Sequence, residues 1–273
     1  MTRVFHAIWP PVLFGAVFLL IWEAMVQIGD VKPFLLPAPS AIWTAFVERA
    51  GDVWDSSFQT GMNALVGLIL GVVLGVAMSF VMMRFRFLDE LITPLAVALN
   101  AIPIIVIVPV LNNMLSPTTE IPRRLMVMII VYFIVVVNVT KGLRQVSPVH
   151  LELMRSYAAS KTQILVKTRI PNAVPYLFTA LKISAPLAVI TAFVSEYFGG
   201  RQNGLAYSIT SSINGSKDVM WAYVVGACAL GLIFYLASVG LERLATPQGP
   251  STGRSTTEAP ASRGSVPGGA ATS

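Results

Sequence analysis

The sequence is poor in charge, cysteine and histidine. Only 12% of its residues are Asp, Glu, Lys or Arg, about half the share found in soluble domains. With 55% hydrophobic residues and a mean hydropathy of +0.72, an ordinary water-soluble enzyme is excluded. Cys228 is the single cysteine, which excludes a disulfide scaffold. His6 and His150 stand far apart in the chain and from Cys228, so no multi-ligand metal cluster is expected. No GxxxxGK[ST] run occurs, so the chain supplies no ATP-binding loop of its own. Nor do Asp, Glu and His converge at one membrane depth, as a membrane enzyme would need.

What the sequence has in abundance is long apolar runs. A bilayer core of about 30 Å needs roughly 20 mostly apolar helical residues. Six runs qualify: Ile8–Gly29, Met62–Met83, about Ile92–Leu115, about Arg124–Thr140, about Ala173–Phe198 and Val219–Leu241. The first is too long for a signal peptide and lacks a small-residue cleavage site. Glu23 and Lys182 are the charges inside the runs, with Glu196 at an end; Glu23 is expected to reach an interface or partner, and Lys182 to snorkel. The expected fold is an all-α membrane protein of six transmembrane helices, residues 1–245, followed by a disordered tail, Thr246–Ser273. With the N-terminus inside, 12 Lys and Arg fall on the cytosolic side and 6 outside, so both termini are expected in the cytosol. The net charge of +6 then belongs to cytosolic loops and not to a nucleic-acid surface. Trp9, Trp22, Trp43, Trp54 and Trp221 fall mostly near span ends, as interfacial belts do.

The connection Lys141–Asn172 is far longer than the 2–8 residues typical of helix bundles. Ser147 before Pro148 reads as a helix cap, with Leu151, Met154 and Ala158 at helical spacing behind it. Ser160-Lys-Thr-Gln163 reads as a capping box opening a second short helix, which Pro171 is expected to end. Two short amphipathic helices between spans suit either lipid anchoring or docking into a partner's groove.

Three marks give this pattern a family likeness. Gly142–Ser160 continuing to Ile170-Pro-Asn-Ala-Val-Pro175 resembles the EAA loop of inner-membrane permeases of binding-protein-dependent ABC importers. Glu152 matches the acid, Leu153 and Met154 replace the alanines, Ala158 replaces the glycine, and Thr168, Ile170 and Pro171 fill the ending. Leu36-Pro-Ala-Pro-Ser40-Ala-Ile-Trp43 is similar to a motif of the nitrate/sulfonate/taurine branch, and so are Glu196 and Gly204-Leu205-Ala206. The chain departs from that branch at Met114-Leu115-Ser116 and at Ile134.

The resemblance implies a type I importer permease in a bacterial inner membrane, forming the pathway for a small polar or anionic solute. Its implied partners are a second permease (the same chain or a paralogue), two ATPases, an external solute-binding protein and the lipid bilayer. It binds no cofactor itself; ATP and Mg belong to the ATPase. Glu152, Leu153, Met154, Arg155, Ser156, Ala158, Ser160 and Pro171 are the implied ATPase-coupling residues, and Ala158 must make the bend that glycine normally makes. A secondary transporter is the weaker alternative, because no midplane acid is present.

Other polar groups at membrane depth are candidates for the pathway: Asn100, Asn138, Ser184, Thr191 and Glu196. Gly67, Gly71 and Gly75 repeat every four residues and so form one face of the second helix. That stripe suits close packing inside the subunit better than a contact between permeases. Pro94, Pro103 and Pro109 punctuate the third span and are expected to bend it.

Overall fold

The computed structural model describes residues 2–85, 87, 90, 104–116, 118–199 and 202–245, without the side chains of 2–8, 104 and 105. The expected positions Asn100, Pro94 and Pro103 and the tail from Thr246 lie outside the described residues. Among the described residues the chain is all helix: α1 Thr2–Ile28, α2 Pro39–Glu48, α3 Ala50–Arg84, α4 Ile104–Met114 and α5 Ile121–Arg144. Then come α6 Pro148–Ser156, α7 Lys161–Ile164, a π turn Leu165–Arg169, α8 Ile170–Tyr197, α9 Leu205–Ser212 and α10 Lys217–Ala245. Five of the described helical runs are long and apolar enough to cross a bilayer. They match the first, second, fourth, fifth and sixth expected spans; α4, with Pro109 inside it, is the described end of the third.

The core is the packing of α5 against α3 and α8. An added Cβ at Gly67 would meet Val127, at Gly71 Val131, and at Gly75 Val135. The partner number rises with the glycine number in a constant register, so α3 and α5 run parallel. Arg84 and Ile121 therefore stand at opposite ends of the bundle, as a second and a fourth span must. Helix α8 runs the other way: Asn172 at its start bonds the Gly142 carbonyl near the end of α5, while Asn203 beyond its end bonds Glu120. It presents α5 with small residues, among them Ala173, Ala180, Ala185, Ala188 and Ala192. Lipid tails are as apolar as these side chains, so close backbone approach and van der Waals contact supply the attraction. Helix α1 stays outside this core, with Phe14, Leu20 and Ile28 exposed; on its inner side Trp22 packs edge-on against Trp221 and Val26 is buried.

One expectation fails in its detail. Pro171 does not end a separate short helix: α7, the π turn and α8 form one run, Lys161–Tyr197. The wider π turn passes the amide of Ile170 to the Leu165 carbonyl and restarts the helix. Pro171 thereby stands in the first turn of α8, where its missing N–H needs no partner. The second limb of the loop is therefore the lower end of the fifth span.

Candidate functional site

The loop between α5 and α8 is rooted on a polar bracket. The Asn172 side chain donates to the carbonyls of Gly142, at 2.7 Å, and Gln145, at 3.2 Å. Tyr176 donates its hydroxyl to the Gln145 side chain at 2.9 Å. A Cβ on Gly142 would strike the Ala173 backbone at 2.8 Å, so only glycine lets the two limbs meet this closely. Beside the bracket Arg144 donates to the Met82 carbonyl, tying α3 to the same end.

From this base α6 projects with no residue fully buried. Leu151 and Met154 are half-buried, whereas Val149, Leu153 and Tyr157 are 69%, 52% and 78% exposed. Those three recur every fourth residue, so they form one stripe along the outer side of the helix. Leu153 belongs to the expected coupling residues; Val149 and Tyr157 do not, although their four-residue spacing carries the signal. Glu152 and Arg155 are exposed beside the stripe, and Ser156 bonds back to the Leu153 carbonyl at 2.8 Å.

Beyond the end of α6 the chain turns at Ala158, whose φ of +51° is left-handed. The amide of Ala159 bonds the Met154 carbonyl and that of Ala158 bonds Arg155, a Schellman end with Ala158 in the place that favours glycine. The bend expected of Ala158 is thus present, made by an alanine under strain. Ser160 and Gln163 then cap α7 reciprocally, at 3.3 and 2.8 Å. Ser147 occupies its expected cap position without a hydroxyl bond to the helix.

At the opposite end of the bundle two buried polar clusters hold the segment that leads into α9. In the first, Glu196 accepts from the Thr60 hydroxyl at 2.8 Å and from the Ala206 amide at 3.3 Å. Thr60 in turn accepts from the Leu205 amide at 2.9 Å. In the second, Asn203 donates to Glu120 at 2.8 Å and accepts from Arg123, which also pairs with Glu120 at 3.0 Å. Asn63 donates to Glu120 and accepts from Arg124. Burial pushes the Glu120 carboxyl up, but the Asn203 bond, the Arg123 charge and the bonds from Asn63 and Arg123 outweigh it and hold it below the usual carboxylate range.

The remaining polar candidates are placed as follows. Ser184 and Thr191 are buried and bond carbonyls of their own helix, Ala180 and Leu187. Asn138 is half-buried and bonds the Ile134 carbonyl. Glu23 reaches inside the chain: it accepts from the Ser40 amide at 3.0 Å and hydroxyl at 2.8 Å. It thereby caps α2, whose own cap residue Ala38 has no side-chain acceptor. Lys182 pairs with Glu242 of α10 at 2.9 Å. A cavity of about 560 Å³ lies among α2, α3, α8 and α10, walled by apolar groups such as Phe46, Val53, Leu230 and Phe234.

Comparison with known proteins gives this arrangement its context. Residues 67–246 match the family described as binding-protein-dependent transport system inner membrane component. A probable ABC transporter permease of Haemophilus influenzae is 27% identical, covering 83% of this chain and 92% of its own. The formylaminopyrimidine transport permease ThiX of Halalkalibacterium halodurans is 30% identical, covering 90% of this chain and 98% of its own. Among solved structures, an inward-facing MetNI methionine ABC transporter chain matches with a TM-score of 0.57 at 18% identity, covering 72% of this chain and 95% of that one.

Proposed function

The chain belongs to the family of binding-protein-dependent inner-membrane transport components and is a permease subunit of an ABC importer; on that premise we propose that the loop 141–172 is its ATPase-coupling element. It is an integral membrane protein, and its family works with ATPase and substrate-binding partners. A secondary transporter without an ATPase does not fit that membership.

The observation that carries the coupling role is the exposed stripe Val149–Leu153–Tyr157 on a helix rooted by the Asn172 bracket. An apolar stripe left in water at the end of an anchored helix is what a groove on a partner needs. Glu152 and Arg155 flank it as polar anchors, Met154 holds the inner side, and Ala158 with Ser160 fixes the turn that aims the helix. Lys141, Arg144, Arg155, Lys161, Lys167, Arg169 and Arg243 gather at this end, which supports placing it in the cytosol of a bacterial cell, with both termini.

The chain is the non-catalytic subunit in this reading: it binds no cofactor, and ATP with Mg resides on two partner ATPases. Two permeases, this chain with itself or a paralogue, enclose the pathway. The apolar walls of the 560 Å³ cavity support that pairing, since a polar solute would lose its hydration there without compensation. The solute is small and polar or anionic, in the range of the relatives named for formylaminopyrimidine, nitrate, aliphatic sulfonates and taurine. The coupling role is tested with Leu153→Asp and Tyr157→Asp in the assembled importer. Both variants are expected to insert normally and lose the co-purifying ATPase at least tenfold; full retention of the ATPase refutes the docking face. Mass spectrometry of the ligand on the co-purifying binding protein identifies the solute.

A further inference from the structure

We propose that the segment Asn203–Ser212 is a gate at the end of the bundle opposite the coupling loop, latched by Glu196 and Thr60 and released during each transport cycle. This rests on the permease reading and extends it to named positioning residues.

The segment is held by side chains from three helices at once. Thr60 and Glu196 receive the amides of Leu205 and Ala206, the first two donors of α9, whose cap residue Gly204 has no side chain to offer. Gly204 is obligatory: its φ is +89°, and an added Cβ would sit 2.5 Å from the Glu196 carboxylate. One residue earlier, Asn203 is bonded by both Glu120 and Arg123. One turn later, the hydroxyl oxygens of Ser208 and Ser56 lie 2.9 Å apart, joining α9 to α3 again.

Two features make this a latch instead of a permanent staple. Glu196 is 4% exposed, yet its Oε1 has no hydrogen-bond partner among the described residues. A buried acid with half its acceptors unused is held less favourably than the same acid in contact with water or fully bonded, so the closed state carries a built-in bias toward opening. The side of α9 turned away from the latch carries Tyr207, Thr210 and Ser211, exposed or half-exposed. Opening would move a short hydroxyl-bearing helix whose large apolar anchors are two, Leu205 and Ile209, packed with Val53, Ala222 and Tyr223. A two-position element of this size is what alternating access requires at one end of a pathway.

The test uses Ser56→Cys with Ser208→Cys in the full importer, with Cys228→Ser to remove the native thiol. Their oxygens are close enough for the replacing sulfurs to form a disulfide with small rotamer changes. Without nucleotide, mild oxidation is expected to link the pair in most molecules; trapping with ATP and vanadate is expected to lower the yield at least fivefold. Glu196→Ala is expected to lower the nucleotide-free yield several-fold, and Glu196→Gln, which keeps an acceptor for Thr60 and Ala206, to restore it. An importer that hydrolyses ATP while the yield stays equal in both states overturns the gate and leaves the permease reading intact. An unchanged yield in Glu196→Ala overturns the positioning role of Glu196. A chain that recruits no ATPase at all overturns both readings.

Discussion

Replacing Gly71 by alanine probes the contact on which the bundle is built. The new Cβ would lie 2.7 Å from the Val131 Cβ and 2.8 Å from the Met128 carbonyl oxygen. Neither atom is the end of a flexible side chain, so no rotamer change relieves the clash. Carbon atoms prefer about 3.5–4.0 Å, so α3 and α5 must separate by roughly 1 Å at this turn. Overpacking of that kind costs about 1–3 kcal/mol. Alanine returns about 1 kcal/mol of helix propensity over glycine, leaving a net loss of up to about 2 kcal/mol.

Gly231→Ala is the matched control, because nothing lies within 4 Å of a Cβ there, and it is expected to be neutral or stabilising. Adding Gly67→Ala and Gly75→Ala is expected to cost less than three times the single change. The glycines are one turn apart, so the first separation of the helices opens room for the others. Reversible detergent unfolding followed by tryptophan fluorescence reads the effect. If Gly71→Ala is as stable as Gly231→Ala, the glycine face does not pack on α5, and the stripe must serve another subunit.

Glu152→Ala combined with Arg155→Ala is expected to abolish most ATP-driven uptake while leaving membrane insertion unchanged; uptake at the wild-type level in vesicles refutes the anchor role. Ala158→Gly relieves left-handed strain worth about 1–2 kcal/mol, partly offset by glycine's greater freedom when unfolded, whereas Ala158→Val worsens it. Protease cleavage of the loop is expected to slow in the first variant and quicken in the second. Glu120 titrates below the usual carboxylate range, so its contribution is present above the free value of about 4.3 and lost as pH falls through the lowered folded value. Thermal stability is therefore expected to fall on acidification below about pH 4, with Glu120→Gln showing a lower plateau and a flatter acid limb. Deleting residues 246–273 is expected to leave uptake within about twofold, since that composition has little to bury; a large loss would give the tail a role.

The spans were legible because a bilayer imposes length and apolarity directly on sequence. The start of α3 was not, since the stretch from Ala50 to Met62 mixes Val53 with Asp52, Asp55, Ser56 and Gln59. Helix α2 and helix α9 are too short to show a period, and their ends are capped from distant parts of the chain. Thr60 lies 136 residues from Glu196, and Ser40 lies 17 from Glu23, so no local pattern announces either pair. The capping box at Ser160 was legible because capping chemistry is local, whereas the turn at Ala158 followed only from the family resemblance, since an alanine carries no left-handed signal of its own. Pro171 misled because proline's effect depends on the turn before it, and a π turn leaves no mark in residue spacing.

Helix α8 connects the two functional ends physically. Asn172 at its base belongs to the bracket under the coupling loop, and Glu196 at its far end belongs to the latch. The roughly 24 residues between them span about 36 Å at 1.5 Å per residue. A tilt of about 5° at the base would carry the far end by about 3 Å, as far as the whole length of the Thr60–Glu196 bond. The small-residue face that α8 turns to α5 favours such tilting, because Ala180, Ala188 and Ala192 present no long side chains to interlock. Pro175 and Pro186 interrupt the ladder along the way and would absorb part of the motion as bending. Replacing both by alanine would stiffen the rod: the same push on the loop should then open the Ser56–Ser208 contact more completely. A disulfide yield under ATP and vanadate that stays at the native level in that double variant would show that the loop reaches the latch by another route.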